Sequence, residues 1–121
     1  MKKILLVDDN RDNLEVLSAL FEDEGFAVKQ LYNSIGIEGK IEEFCPDVIF
    51  MDVMLGAENG TEVCVRLKEN PATSKIKIVL MTASNKFQTL TLEDTCADYH
   101  LAKPFDIDDV ANIAHRLAYK H

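Results

Sequence analysis

No stretch of apolar residues in this chain approaches the roughly 20 needed to cross a bilayer. The lysines at positions 2 and 3 lead only into a short apolar run that Asp8 interrupts. Neither an export signal nor a membrane anchor is expected, and the sequence predicts a cytoplasmic protein. Cysteine is scarce: Cys45, Cys64 and Cys96 are odd in number, widely spaced and without a Cys-x-x-Cys pair or a nearby histidine. That excludes a zinc-ligand pattern, and the three thiols are expected to be buried small apolar groups in a reducing compartment. Positive charge is also short, with 13 Lys and Arg against 21 Asp and Glu and a net charge of -8. Contact with a phosphate backbone is driven by Lys and Arg releasing counterions, so direct nucleic-acid binding by this chain is not expected. Internal repeats, low-complexity tracts and linkers are missing as well.

What is present is one domain's worth of chain. A sequence of 121 residues buries roughly 60 to 70% of its unfolded surface on folding, enough for a single core. Short apolar runs alternate with longer segments of helical character, the pattern of a parallel sheet covered on both faces. The strands are predicted at Lys3 to Val7, Ala27 to Leu31, Val48 to Met51, Ile78 to Met81 and Tyr99 to Ala102. This predicts an α/β fold with a doubly wound five-stranded parallel sheet and five helices.

The first helix carries Leu14, Leu17 and Phe21 at helical spacing, with Asp9 or Asn10 as its cap and Gly25 as its stop. A last helix is capped by Asp106, presents a stripe of Ile107, Val110, Ala114 and Leu117, and runs to about Tyr119. Weaker helical segments are read at Ile35 to Phe44 and Lys86 to Thr95, the first broken by two glycines and the second rich in threonine.

In such sheets sites form at the carboxyl ends of the strands, where the strand order reverses. The first strand ends in Asp8 and Asp9, the third in Asp52, the fourth in Thr82 and Ala83, and the fifth in Lys103 and Pro104. Three converging carboxylates repel one another unless a cation is present. A hard, oxygen-preferring ion answers that need, and Mg2+, which keeps several waters, suits a shallow open cluster. Helix capping would account for Asp9 alone and a solvated loop for Lys103 alone, but neither accounts for Asp52, Thr82 and Lys103 together. Aspartate can attack phosphorus to give an aspartyl phosphate, and the transfer needs positioning and neutralised phosphoryl oxygens. Asp52 as nucleophile, with Lys103, Thr82 and the metal around it, supplies that set.

Four motifs then identify a family. With VDDN at 7 to 10, MDVML at 51 to 55, MTAS at 81 to 84 and AKPF at 102 to 105, the chain resembles the receiver domain of bacterial two-component response regulators over residues 1 to 121. The resemblance implies a flavodoxin-like (βα)5 fold with strand order 2-1-3-4-5. It makes Asp52 the phosphoacceptor, and assigns Mg2+ to Asp8, Asp9, Asp52 and the backbone carbonyl of Met54. In the family the second acidic residue contacts the metal directly and the first often acts through water, so Asp9 is expected as ligand and Asp8 as its outer partner. It pairs Lys103 with the phosphoryl group, swings the Thr82 hydroxyl toward it, and makes the bond before Pro104 cis.

The chain departs from the family in places. Leu55 and Gly56 stand where Met-Pro is common, which predicts a more flexible loop, while Gly60 keeps its usual place. Cys96 replaces a glycine, and His100 takes the switch position usually held by an aromatic ring, with Tyr99 on the opposite strand face. Either His100 is a partly buried ring, or it exchanges inward and outward with Thr82; one rotamer with and without a phosphoryl analogue would remove the second role. Met54 and Ser84 hold positions that in the family tune loss of the phosphoryl group to water. Neither side chain positions a water as an acid, base or amide would, so a phosphoaspartate outlasting seconds in magnesium buffer is expected, unless both merely line the rim.

The function implied is transfer of a phosphoryl group from a histidine kinase's phosphohistidine to Asp52, with switching of a surface formed by the fourth helix, fifth strand and fifth helix. The message passes by protein contact to a target, or through a phosphorelay to a histidine phosphotransfer protein; a phosphorylation-independent docking module is the other alternative. The chain is not expected to be an enzyme beyond assisting its own phosphorylation and dephosphorylation. A phosphatase would need an acid or base at Met54, and a flavodoxin-like electron carrier would avoid Asp8 and Asp9 in its phosphate loop.

Overall fold

The structure, a computed structural model, describes residues 1–56, 58–82, 96–103 and 105–119. Five parallel strands form the central sheet: β1 (Lys3–Val7), β2 (Ala27–Leu31), β3 (Val48–Asp52), β6 (Lys77–Thr82) and β7 (Tyr99–Ala102), in the order β2-β1-β3-β6-β7. Counted along the sheet this is 2-1-3-4-5, with the reversal of order between β1 and β3. All five predicted strands are present, β3 and β6 extended at their ends to include Asp52 and to run from Lys77 to Thr82.

Alternation along these strands divides the core into two layers. Ile4, Leu6, Val48, Phe50, Val79, Met81 and Leu101 face α1 (Arg11–Asp23) and α4 (Ile107–Ala118). On the other side Leu5, Val7, Ile49, Met51, Ile78 and Leu80 face α2 (Ile37–Phe44) and α3 (Gly60–Glu69). Successive strand residues point to opposite faces, so near-continuous apolar runs are what a sheet covered on both sides requires. Tyr99 packs against the α1/α4 layer, as the opposition to His100 demands.

The α1 prediction holds in detail: Leu14, Leu17 and Phe21 are buried, and of the two capping candidates Asn10 takes the role, its Oδ1 accepting from the N–H groups of Asp12 (2.9 Å) and Asn13 (3.2 Å). Asp106 caps α4 as expected, accepting from the Asp108 N–H at 2.8 Å. The α4 stripe needs one correction. Val110, Ala114 and Leu117 are buried, but Ile107, the first residue of α4, is 57% exposed. The helix expected from Ile35 begins at Ile37, since Gly36 takes a left-handed conformation at φ 71° before it. The Lys86 to Thr95 helix, Ala83, Ser84 and Pro104 lie outside the described residues.

The structure adds one element the sequence did not indicate and corrects the burial expected of the cysteines. A short hairpin, β4 (Met54–Leu55) with β5 (Glu58–Asn59), follows the phosphoacceptor candidate, Gly56 turning it at φ 65°. Of the cysteines only Cys64 is buried, and burial pushes its thiol up to about 12; Cys45 and Cys96 are exposed, one ending α2 and the other preceding β7 in a loop. No helix among the described residues is long and apolar enough to cross a membrane.

Candidate functional site

The carboxyl edge of β1, β3, β6 and β7 gathers the side chains singled out in the sequence. β1 ends one residue before Asp8, whose N–H still donates to the Leu31 carbonyl at 3.1 Å, so Asp8 is held in the sheet's plane and is fully buried. Its Oδ1 accepts from the Asn10 N–H at 2.9 Å, the turn that starts α1, and its Oδ2 from Asn13 Nδ2 at 3.4 Å. Asp9, the next residue, faces solvent.

Asp52 closes β3, paired with Met81, and is 8% exposed. Its Oδ1 accepts from the Met54 N–H at 3.0 Å, so the start of the hairpin fixes the carboxylate's rotation. Lys103 reaches back from the end of β7: its Nζ donates to Asp52 Oδ2 at 2.8 Å and to Asp8 Oδ2 at 3.2 Å. The Lys103 N–H donates to the Thr82 carbonyl at 2.8 Å, which ties the two strand ends together and sets Thr82 beside the cluster. His100 is half-buried on β7, and the Met54 side chain is 55% exposed on the rim.

Gly60 explains how Asp52 is approached so closely. A Cβ there would run into the backbone carbonyl oxygen of Asp52 and touch Val53 Cα at 3.0 Å, and the Gly60 N–H donates to the Val53 carbonyl at 2.7 Å. α3 therefore starts directly against the backbone that carries the carboxylate.

Two carboxylates share one ammonium in a buried place. Burial pushes the Asp52 carboxyl above its ordinary range, against the pull of Lys103 and the Met54 N–H. Burial works to lower Lys103, but the hydrogen bond and charge of Asp52, then Asp8, carry it above its ordinary value. The residual negative charge has an outlet: one oxygen each from Asp8, Asp9 and Asp52 lie within 4.8 Å of one another. An all-oxygen donor set with one member open to solvent fits a hard divalent cation such as Mg2+.

Of the predicted site residues that are described, Asp8, Asp9, Asp52, Met54, Thr82 and Lys103 lie at this edge, while His100 stands inside β7, paired with Leu80. Asn13, in the first turn of α1, and the hairpin's Met54 N–H are partners that the sequence does not single out.

The comparisons with known proteins agree with this geometry. The family model for the response regulator receiver domain matches residues 4–115. The DNA-binding dual master transcriptional regulator RpaA of Synechocystis is 32% identical over 111 residues, 91% of this chain and 46% of that protein. Sporulation initiation phosphotransferase F of Bacillus subtilis is 29% identical over 110 residues, 90% of this chain and 87% of that protein. The chain spans about half the length of the regulators it matches first. Among solved structures, the receiver domain of sensor histidine kinase PA1611 from Pseudomonas aeruginosa, with magnesium coordinated in its active-site cleft, superposes with a TM-score of 0.83 at 26% identity, covering 98% of both chains. Fold, acidic edge and family model converge, and the chain belongs to the response regulator receiver domains of two-component systems.

Proposed function

We propose that this chain accepts a phosphoryl group on Asp52 from a histidine kinase's phosphohistidine, in the cytoplasm, and that residues 1–121 act as one receiver unit. An Asp52 oxygen forms the new O–P bond while the P–N bond breaks, and the donor ring, protonated on its other nitrogen, leaves as neutral imidazole. The observation that carries the reading is the buried Asp52 carboxylate with Lys103 Nζ at 2.8 Å and two further carboxylates beside it. When bound, Mg2+ supplies positive charge to the phosphoryl oxygens. Asp9, exposed, would hold the ion directly with Asp52 and the Met54 carbonyl, and Asp8, whose oxygens are already engaged by Asn10, Asn13 and Lys103, would act as the outer partner.

The Met54 N–H orients Asp52, and Lys103 follows the new charge from carboxylate to phosphoryl group. Thr82 moves toward the phosphoryl group, and His100 follows inward, transmitting the change to the face that selects a partner. With Met54 and Ser84 offering no group to position a water, the phosphoaspartate is long-lived. The chain is then a signalling domain that assists its own phosphorylation and dephosphorylation.

The test is incubation with a small phosphodonor and Mg2+, read by intact mass. One phosphoryl group is expected on the native chain and none on Asp52→Asn; an unlabelled native chain would leave only a phosphorylation-independent docking role. A relay reading has its own support, since the chain covers 87% of a relative named as a phosphotransferase. Loss of the label to a histidine phosphotransfer protein on mixing would favour the relay over direct output.

A further inference from the structure

Arg11, the first residue of α1, is exposed and stands two positions beyond Asp9, a member of the acidic cluster. Its guanidinium carbon lies 4.7 Å from the centroid of the Tyr32 ring. Tyr32 directly follows Leu31, whose carbonyl accepts from the Asp8 N–H, so ring and cation sit at the strand edge that carries the site. Arg11 makes no ion pair with any described carboxylate. The Lys103 ammonium at the same edge is committed to Asp52 and Asp8. Around them the edge is acidic, with Asp9 and Asp12 on one side and Asp106 and Asp108 on the other. The whole chain carries a net charge of -8.

A phosphodonor must enter this field as an anion, and the barrier grows with its charge. We infer that Arg11, braced on Tyr32, is the cation that admits doubly charged phosphodonors of the acyl phosphate class to Asp52. This rests on Asp52 being the phosphoacceptor. Stacking on the ring holds the guanidinium in place without pairing it to a carboxylate, which would cancel its charge. In the step itself an Asp52 oxygen bonds to phosphorus, the donor's P–O bond breaks, and the carboxylate half leaves as an anion. Arg11 offsets the donor's charge on approach and takes no part in bond making.

The test compares labelling rates by intact mass for acetyl phosphate, doubly charged near neutral pH, and phosphoramidate, singly charged there, whose P–N bond breaks to release ammonia. The ratio of the two rates should fall about three- to fivefold in Arg11→Gln, the size of an exposed single-charge effect. Arg11→Lys should hold the ratio near native, and raising the salt concentration should shrink the difference in ratio between the native chain and Arg11→Gln. A labelled native chain with an unchanged ratio in Arg11→Gln, or one lowered equally in Arg11→Lys, overturns the role of Arg11 alone. A native chain that takes phosphate from neither donor overturns the phosphoacceptor reading and this inference together.

Discussion

At the scale of single residues the site is a charge imbalance held in place by hydrogen bonds. Asp8 and Asp52 are both buried, and Lys103 supplies one positive charge between them. Removing Lys103 leaves two uncompensated buried carboxylates, so Lys103→Met is expected to cost roughly 3 kcal/mol in metal-free buffer. Removing one carboxylate leaves a balanced pair, so Asp52→Asn is expected to stabilise the fold by about 1 kcal/mol. The pH dependence follows from the raised Asp52 carboxyl. A folded-state value above the unfolded one contributes stability that is fully present below the unfolded pKa and lost as pH rises through the folded value. Between the ordinary aspartate range and neutrality the native chain should therefore lose stability with rising pH, and Asp52→Asn should lose less. Melting both proteins across that range in the presence of a chelator checks this; parallel curves would count against it. The acidic trio and Lys103 were legible because they are the charged residues that directly follow the apolar strand runs of the sequence. Asn13 was not, because an amide in a helix's first turn reads as ordinary surface until the fold turns it toward Asp8.

Elements position these residues through their ends. α1 starts at Asn10, whose backbone N–H holds Asp8 while its side chain caps the helix, so cap and site share one residue. α3 starts at Gly60, where a side chain has no room beside the Asp52 carbonyl. The obstacle is backbone, which cannot rotate aside, so Gly60→Ala is expected to cost about 2 kcal/mol. It should also slow phosphorylation of Asp52 about tenfold or more, by displacing the carboxylate. Thermal melting and the labelling rate read the two effects; a variant matching the native chain in both would remove the steric role. Strand positions and the buried face of α1 were readable from apolar periodicity alone. The exposure of Ile107 and of Cys45 was not, since both lie at helix ends, where the position of the neighbouring elements decides what is covered.

At the scale of the whole molecule, the order β2-β1-β3-β6-β7 puts the reversal between β1 and β3, and so brings Asp8, Asp9 and Asp52 together from distant parts of the sequence. Which carboxylate takes the metal directly depends on what each already holds. Asp8 has three donors on its oxygens and no exposure, whereas Asp9 is open to solvent. A cation that binds only the folded chain stabilises it by RT ln(1 + [Mg2+]/Kd), about 2.7 kcal/mol at a hundredfold excess over Kd. For a domain of this size that is a rise in Tm of about 10 °C. Asp9→Asn should leave the metal-free Tm within about 2 °C of native, since an exposed carboxylate contributes little, and should abolish most of the rise with Mg2+. Asp8→Asn should keep a reduced rise, because an amide oxygen still serves a partner that acts through water. The opposite pattern, a rise retained in Asp9→Asn and abolished in Asp8→Asn, would make Asp8 the ligand and require Lys103 to leave it when the metal binds.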